Sequence, residues 1–217
     1  MLRLRGVKFG ELHSWDDLSL ILVNQKVGLP PVKIYTVPID GGDGELDLTE
    51  YFGGPQFGNR TLEFTFAVVD DIWGLSRTAQ QALHGKKFRI TLDDDPEFYY
   101  VGRVSVDDWS VIRRLNGTLE ITCNCDPYKY KQAVTVISGT VPEDGELLLT
   151  CPNSRMRVIP EITTDAEIQV VYGATKVDVT AGTWRFTNLV FSEGENILNI
   201  SGDPGTQITV RYQEGAI

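Results

Sequence analysis

The chain has 217 residues and a formal net charge of −10, with 41% hydrophobic and 23% charged residues. This length suits one large domain or two small ones. The 21 glycines and 10 prolines are spread through the sequence, which excludes collagen-like, fully disordered and coiled-coil chains. No stretch approaches the roughly 20 apolar residues of a membrane span, and the first residues lack the apolar run of a signal peptide. We therefore expect a soluble protein with no membrane insertion.

The excess of acidic residues argues against nucleic acid as a bound ligand, because phosphates would be repelled unless a basic patch intervened. The longest basic clusters are the pairs Lys86-Lys87 and Arg113-Arg114, and a solvated face explains each of them. An acidic surface would suit a channel through which DNA slides without sticking.

Alternation of apolar and polar residues dominates the chain and predicts β-strands. The pattern is clearest at residues 60–68, where every second side chain is apolar. It recurs at 88–92, 119–123 and 207–212, with turn-forming Gly, Asp, Asn and Pro clusters between the runs. This density of strands predicts a mostly β chain.

One amphipathic helix interrupts the strand pattern between Asp71 and Gly85. Its apolar residues fall at spacings of three and four, which is the helical period; they are Ile72, Leu75, Ala79, Ala82 and Leu83. Asp71 is a suitable N-cap, and Gly85 is a suitable C-terminal stop. A single helix in such a chain predicts a cover over a strand-rich core.

A domain boundary is expected between residues 126 and 140, and we place it between 1–133 and 134–217. Beyond it, short strands recur every eight to twelve residues, as in a small antiparallel sandwich. These strands are predicted at 146–149, 168–171, 175–179, 183–186 and 196–200. The fold class is thus a β-rich N-terminal domain with one α-helix, followed by a C-terminal antiparallel β-sandwich.

Residues with catalytic potential are present, but no pattern organises them into a site. A hydrolase would have to use His13 or His84, and no Gly-x-Ser-x-Gly motif accompanies them. Paired aspartates, such as Asp93-Asp94-Asp95, stand where turns or helix caps are expected. Cys123, Cys125 and Cys151 have no zinc-site spacing and are expected to be reduced and buried or half-buried. We expect no catalytic residue, no metal and no cofactor.

The four tryptophans are the remaining candidates for ligand binding, because aromatic rings form sugar-stacking platforms. Trp73 in the helix and Trp109 on a strand are expected to be buried in the core. Trp184 is kept as a weak ligand candidate.

Several sequence blocks, in order along the chain, resemble the N-terminal domain of the distal tail proteins of long-tailed, non-contractile bacteriophages. Together they span residues 4 to 131. The C-terminal half agrees with the family mainly in its length and in the spacing of its predicted strands. The blocks are Gly6-Val7-Lys8-Phe9-Gly10, His13-Ser14-Trp15-Asp16-Asp17, residues 44–50 (GELDLTE), 59–66 (NRTLEFTF), 93–100 (DDDPEFYY) and 123–130 (CNCDPYKY).

The resemblance implies a structural hub at the tail tip. In this family six N-terminal belt domains close into a ring around the channel through which the genome leaves, and galectin-like C-terminal sandwiches project outward. The implied partners are further copies of the chain, the tail tube protein, a tail-associated lysin or tail-tip hub protein, and a receptor-binding protein. The implied location is the virion, after assembly in the host cytoplasm; a free phage and a prophage both remain open as the source.

The alternative is a carbohydrate-binding tail component that contacts host cell-wall glycans. The residues around Trp184 do not reproduce the His and Asn constellation with which galectins hold galactose. Host recognition is therefore expected of a partner protein.

The interface candidates of the expected ring lie in the loop 51–57 and at the start of the next strand. Tyr51, Phe52 and Phe57 have no strand periodicity that would bury them. Arg60 is the fourth candidate, as a partner for a carboxylate of the neighbouring copy.

Overall fold

The computed structural model describes residues 4–51, 53–113 and 115–217. The chain divides into two compact units, one reaching to Lys129 and including Ile217, the other comprising Tyr130–Ala216. Both units are built mainly from antiparallel strands, so the mostly β fold class is confirmed. Among the described residues, no helix combines the length and the apolar composition that a membrane crossing requires.

The first unit contains one extended antiparallel sheet with the strand order β2-β1-β9-β10-β11-β8-β3, and the small pairs β4-β7 and β5-β6. Its elements are, in chain order, β1 (Val7–Phe9), β2 (Leu12–His13), β3 (Ile21–Val27), β4 (Val32–Lys33), β5 (Thr36–Pro38), β6 (Glu45–Asp47), β7 (Gln56–Phe57), β8 (Arg60–Val68), α1 (Ile72–Leu83), β9 (Lys87–Leu92), β10 (Asp95–Arg113), β11 (Asn116–Cys125) and β12 (Lys129–Lys131), the last crossing the division between the units.

One face of the extended sheet carries the core of the first unit. Along β8 every second residue is buried, which confirms the period-two prediction at 60–68. Strand β11 pairs with β8 in antiparallel register and buries its own alternate residues, Cys123 and Cys125 among them. Each large apolar side chain buried in this way contributes about 1.5–3 kcal/mol, so the alternation itself determines which face of the sheet is covered.

The helix begins and ends as the sequence predicts. The Asp71 side chain caps the first turn by accepting a hydrogen bond from the Gly74 N–H at 2.9 Å. The helix ends at Leu83 and His84 is its C-cap; Gly85 follows with a φ of +75°. Ile72, Ala79 and Leu83 are fully buried in the core of the sheet. Helix α1 therefore covers this core.

The β10–β11 hairpin extends beyond the core, and here the predicted burial of two tryptophans is wrong. Trp73 is 54% exposed and Trp109 is 36% exposed. The two rings contact each other edge to face, with centroids 6.3 Å apart. The prediction failed for two reasons. Trp73 follows the buried Ile72 by one residue and is therefore turned about 100° away from it around the helix axis. On β10 the last core residue is Val106, so Trp109 lies beyond the core.

The second unit is built from two antiparallel sheets, with the orders β13-β20-β15-β18 and β14-β19-β16-β17. Its strands are β13 (Thr135–Thr140), β14 (Glu146–Asn153), β15 (Glu161–Thr164), β16 (Ile168–Tyr172), β17 (Thr175–Val179), β18 (Gly182–Arg185), β19 (Gly194–Gly202), β20 (Gln207–Tyr212) and β21 (Gly215–Ala216).

Buried side chains from both sheets of the second unit form a single core. Ile162 and Val210 enter it from the first of these sheets, and Val170 and Leu198 enter it from the second. This is the arrangement of a β-sandwich, and each strand predicted between residues 146 and 200 is present. The predicted antiparallel sandwich is confirmed.

A buried carboxylate connects three segments of the second unit. Glu214 is 5% exposed. Its carboxylate accepts hydrogen bonds from the Lys131 Nζ, Thr135 Oγ1 and Ser154 Oγ, each at 2.6 Å. Burial alone would raise the pKa of Glu214, but these donors outweigh it and hold the pKa below its ordinary value of 4.5.

Glu214→Gln should therefore weaken the fold at neutral pH and not in acid. A lowered native pKa means that the carboxylate stabilises the fold above about pH 4.5, the ordinary value, and that this stabilisation disappears as the pH falls through the native pKa. We expect the variant to lose roughly 1–3 kcal/mol at pH 7 and little or nothing below the native pKa. Chemical denaturation across this pH range measures the difference.

The matched control is Glu195→Gln, because Glu195 is an exposed carboxylate of the same unit. It should leave the unfolding free energy nearly unchanged at every pH. An equal loss for both variants, or a loss at Glu214 that does not depend on pH, would contradict the assigned role.

Candidate functional site

An arm, defined here as residues 28–59, leaves the first unit between β3 and β8. Strand β4 pairs with β7 near its base, and β5 pairs with β6 toward its tip. A turn at residues 40–44 connects β5 to β6. The backbone also crosses the arm, where the Leu48 N–H donates to the Tyr35 carbonyl at 2.8 Å. The arm thus has a defined backbone of its own.

The base of the arm is fixed to β8 by backbone contacts and by Arg60. The Gly28 N–H donates to the Thr61 carbonyl at 2.9 Å, and a Cβ at Gly28 would lie only 2.8 Å from that oxygen. Arg60 is 2% exposed. Its Nε donates to the Gly28 carbonyl at 2.9 Å, its Nη1 donates to the Pro127 carbonyl at 3.4 Å, and the guanidinium lies over the Tyr100 ring.

Apolar side chains of the arm are exposed to an unusual degree. Every residue from 31 to 47 is exposed, and none of the described arm residues belongs to the core of the first unit. Large apolar side chains with exposures between 43% and 76% are Leu29, Val32, Ile34, Tyr35, Val37, Ile39, Leu46 and Tyr51. Exposed apolar side chains grouped in this way are typical of surfaces that bind another molecule.

Part of this surface forms a cleft of about 570 Å³. The cleft is lined by Ile34, Tyr35, Thr36, Val37, Leu48 and Tyr51. Its volume lies within the range of sites that accept whole side chains or small ligands. The mainly aliphatic and aromatic lining favours an apolar guest.

The arm is also strongly acidic. It contains Asp40, Asp43, Glu45, Asp47 and Glu50 against the single base Lys33, which is a net charge of −4. Hydrogen bonds from the Thr49 side chain and backbone lower the pKa of Asp47. The apolar cleft is therefore set among carboxylates, and a docking partner would match it best with apolar groups and positive charge.

The residues expected to form the ring interface differ in where they lie. Tyr51 is 76% exposed and lines the cleft. Phe57 is half-buried and packs edge to face on Tyr128, with ring centroids 6.0 Å apart. Phe52 lies outside the described residues. Arg60 is buried within its own unit and bonded there, so we assign it to the base of the arm and remove it from the interface.

The residues considered for hydrolysis are occupied with structural bonds. His13 is 4% exposed; its Nδ1 accepts from the Trp15 and Asp16 N–H groups, and its Nε2 lies 3.2 Å from the Asp93 Oδ2. The Ser14 Oγ accepts from the Val7 N–H. The His84 Nδ1 accepts from the Val106 N–H.

The paired carboxylates likewise hold turns and strands together. Asp94 accepts from the side chains of Arg5 and Gln25, and Asp95 accepts from the Lys129 Nζ at 2.8 Å. Within the described ranges, no three His, Cys, Asp or Glu side chains are grouped as a metal site would require.

The three thiols are buried and unpaired, as predicted. Desolvation raises the pKa of Cys125 to about 12 and that of Cys151 to about 12. The pKa of Cys123 is raised still further by burial and by the neighbouring Cys125. Thiols protonated to this extent are poor nucleophiles.

The comparisons with known proteins bear on the whole fold. No protein-family model matches the sequence, and no curated protein matches it. Among solved structures, the SPP1 Dit (gp 19.1) protein is similar over 97% of this chain and 99% of its own, with a TM-score of 0.68 and 14% sequence identity. The chain has the fold of a phage distal tail protein.

The Dit fold is thus confirmed at the level of structure. The crystal structure of SPP1 Dit is described as a paradigm of the hub adsorption apparatus in phages that infect Gram-positive bacteria. At 14% identity the likeness concerns the fold of the chain, and the residues that distinguish this Dit-like chain must be interpreted from its own structure.

Trp184, the ligand candidate of the second unit, lies on the edge strand β18 and is 44% exposed. Its indole N–H donates to the Thr180 carbonyl at 2.9 Å. Its partner across the strand pair is the fully buried Ile162, so the side chain stands at the rim of the sandwich core. Glycan binding at Trp184 stays a prediction.

Arg60→Ala should destabilise the first unit of this Dit-like fold. The change leaves the carbonyl groups of Gly28 and Pro127 without their donor and removes the cation from the Tyr100 ring. We expect a loss of roughly 2–4 kcal/mol, measured by chemical denaturation. The readout is tryptophan fluorescence, because Trp15, Trp73 and Trp109 lie in this unit.

Arg89→Ala is the matched control, since the exposed Arg89 also lies over a tyrosine ring, that of Tyr99. It should cost no more than about 1 kcal/mol. If Arg60→Ala were as mild as the control while weakening self-association, Arg60 would return to the interface candidates.

Proposed function

We propose that this chain is a structural protein of a phage tail tip that closes with further copies of itself into the hub ring at the distal end of a non-contractile tail. The observation that carries the proposal is the arm, whose described apolar side chains belong to neither core of the chain. The arm belongs to a chain with the fold of SPP1 Dit, a hub protein of a phage adsorption apparatus.

The ring is proposed to contain six copies joined through the first unit. A closed ring requires a heterologous interface, in which two different surfaces of each copy meet. The arm supplies one of them, since its cleft has an apolar lining and lies open on the surface. The second unit is proposed to lie outside the ring-forming contacts.

The ring is proposed to connect the tail tube to a tail-associated lysin or tail-tip hub protein and to a receptor-binding protein. DNA would pass through the lumen without specific binding, and the net charge of −10 suits such a channel because it does not attract phosphates. The protein would act in the virion, after assembly in the host cytoplasm.

The proposed role is structural and not catalytic. Three observations support this. The histidines and paired aspartates described above are engaged in turns and strand contacts. The thiols are buried and protonated, and SPP1 Dit, which has a similar fold, is a hub protein.

The double variant Ile34→Ser/Tyr51→Ser should weaken self-association while leaving the fold intact. Both side chains are at least 70% exposed and line the cleft, so the monomer does not depend on them. Loss of their burial should weaken each contact at least about tenfold. Light scattering with negative-stain imaging should show six-fold rings for the unaltered chain and mostly smaller species for the variant.

Leu148→Ser is the control, because Leu148 is 70% exposed on the second unit. It should form rings as the unaltered chain does. An unaltered chain that stays monomeric at high concentration, or a cleft variant that assembles normally, would oppose the proposal.

A further inference from the structure

A second cleft lies on the extended sheet of the first unit, on the face opposite to the core. We call it the sheet cleft. Its volume is about 500 Å³, which lies within the range of sites that hold small ligands. On β10 and β11 polar residues alternate with core residues, so the polar ones face away from the core. The polar lining includes Asn59, His84, Lys87, Arg103, Asn124 and Asp126.

Two cations stand side by side in the sheet cleft. Lys87 of β9 is paired in register with Arg103 of β10, and both side chains are exposed. Residues paired in this way have Cβ atoms about 4.5–5.5 Å apart, and like charges directly opposite each other are destabilising. Proteins tolerate such local costs mainly at functional sites. An anion bound between the two cations would offset the repulsion.

The one carboxylate in the lining does not neutralise both cations. The Asp126 Oδ1 lies 3.7 Å from the Lys87 Nζ. The Arg103 Nη1 donates to the neutral Gly85 carbonyl, and in the part of the chain that the structure describes no carboxylate lies within ion-pair distance of Arg103. Two cations against one carboxylate, with a neutral His84, give the lining a net charge of +1. The cleft is therefore cationic within a chain whose net charge is −10.

Further carboxylates lie around the sheet cleft, outside its lining. Glu63 is the sheet neighbour of Thr122 and forms an ion pair with Lys26 at 3.2 Å. Asp107 and Glu120 lie two residues beyond the cleft on β10 and β11, a step of roughly 7 Å along a strand. These acidic surroundings repel an extended polyanion such as DNA. They leave the cationic centre to a small anion.

The donors of the sheet cleft suit a phosphate group. The His84 Nδ1 accepts a hydrogen bond from the Val106 N–H at 3.1 Å, so in the neutral ring the Nε2 carries the proton and donates. Arg103 keeps its remaining N–H donors, and Lys87 adds its ammonium group. Donors from three side chains match an anion with three or more oxygens better than a carboxylate, which has only two.

The remaining polar groups of the sheet cleft suit hydroxyl groups. The Asn59 Nδ2 donates to the Asn124 Oδ1 at 2.9 Å, which leaves the Asn59 Oδ1 to accept and the Asn124 Nδ2 to donate. Ser105 and Thr122 are paired in the sheet and add two hydroxyl groups to the lining. The Asp126 carboxylate accepts from hydroxyl donors. These groups would exchange hydrogen bonds with a polyol.

We propose that the sheet cleft binds the phosphate group of a small polyhydroxylated molecule, of which glycerol 3-phosphate is the simplest example. The phosphate is held by Lys87, Arg103 and His84, and the hydroxyl groups of the ligand meet the two asparagines. The inference goes beyond the proposed hub function. It does not depend on ring closure, because the whole lining belongs to the first unit of one copy.

The chain has only two histidines, and their NMR signals provide the test. His84 lines the sheet cleft, whereas His13 is 4% exposed and bonded to nearby backbone N–H groups. At constant pH, glycerol 3-phosphate should shift the His84 ring signal in a saturable manner and leave the His13 signal in place. Glycerol, which lacks the phosphate, should shift neither. The variant His84→Gln identifies which signal belongs to which ring.

The double variant Lys87→Gln/Arg103→Gln should bind glycerol 3-phosphate at least about tenfold more weakly, because both charged donors are lost. An unchanged His13 signal verifies that this variant is folded. The matched control is Lys8→Gln/Arg77→Gln, which removes the same charge from two exposed side chains outside the lining. The control should change the affinity by less than about twofold, since distant surface charges are screened.

Four results would overturn the proposal. Sulfate that binds as tightly as glycerol 3-phosphate would indicate an adventitious ion only. A short single-stranded oligonucleotide that binds more tightly would make the cleft a site for a nucleic-acid backbone. Equal shifts of both histidine signals, or undiminished binding by the double variant, would place the phosphate elsewhere. None of these results bears on the ring, which is tested by self-association.

Discussion

Exposed apolar surface that its own domain cannot cover is the constraint on which the rest of this structure depends. Burial of apolar area is the main favourable contribution to association, and the arm offers such area on side chains that the adjacent core excludes. The helix and the extended sheet share one core, from which the described residues of the arm are absent.

The attachment of the arm to the sheet explains why its apolar side chains occupy defined positions on the surface. Arg60 is buried at the arm's base and bonds to carbonyls that precede and follow the strand it begins, so the arm starts from a fixed point on the sheet. Its strand pairs β4–β7 and β5–β6 give the backbone of the arm a defined course. A site with this much order loses less conformational entropy on docking than a disordered segment does.

Much of the fold was predictable from local patterns, because strands that bury one face must alternate. The run at 60–68 and the short strands after residue 146 were found in this way, and Asp71 with Gly85 bounded the helix correctly.

Trp73 and Trp109 were placed wrongly, since an apolar residue in a regular element looks the same in sequence whether it lies within the core or just beyond it. Arg60 was misjudged because its acceptors, the carbonyls of Gly28 and Pro127, are distant in sequence. Ile34 and Val37 were missed, although apolar residues between prolines and a glycine-rich turn were a usable signal.

A reconstruction of the assembled, unaltered chain by electron cryomicroscopy at side-chain resolution tests the central claim most directly. The account predicts a closed ring in which the arm of each copy lies against the neighbouring copy, with Ile34 and Tyr51 covered. Arms that remain in solvent within a ring built from other contacts, or particles that contain one copy only, would contradict it.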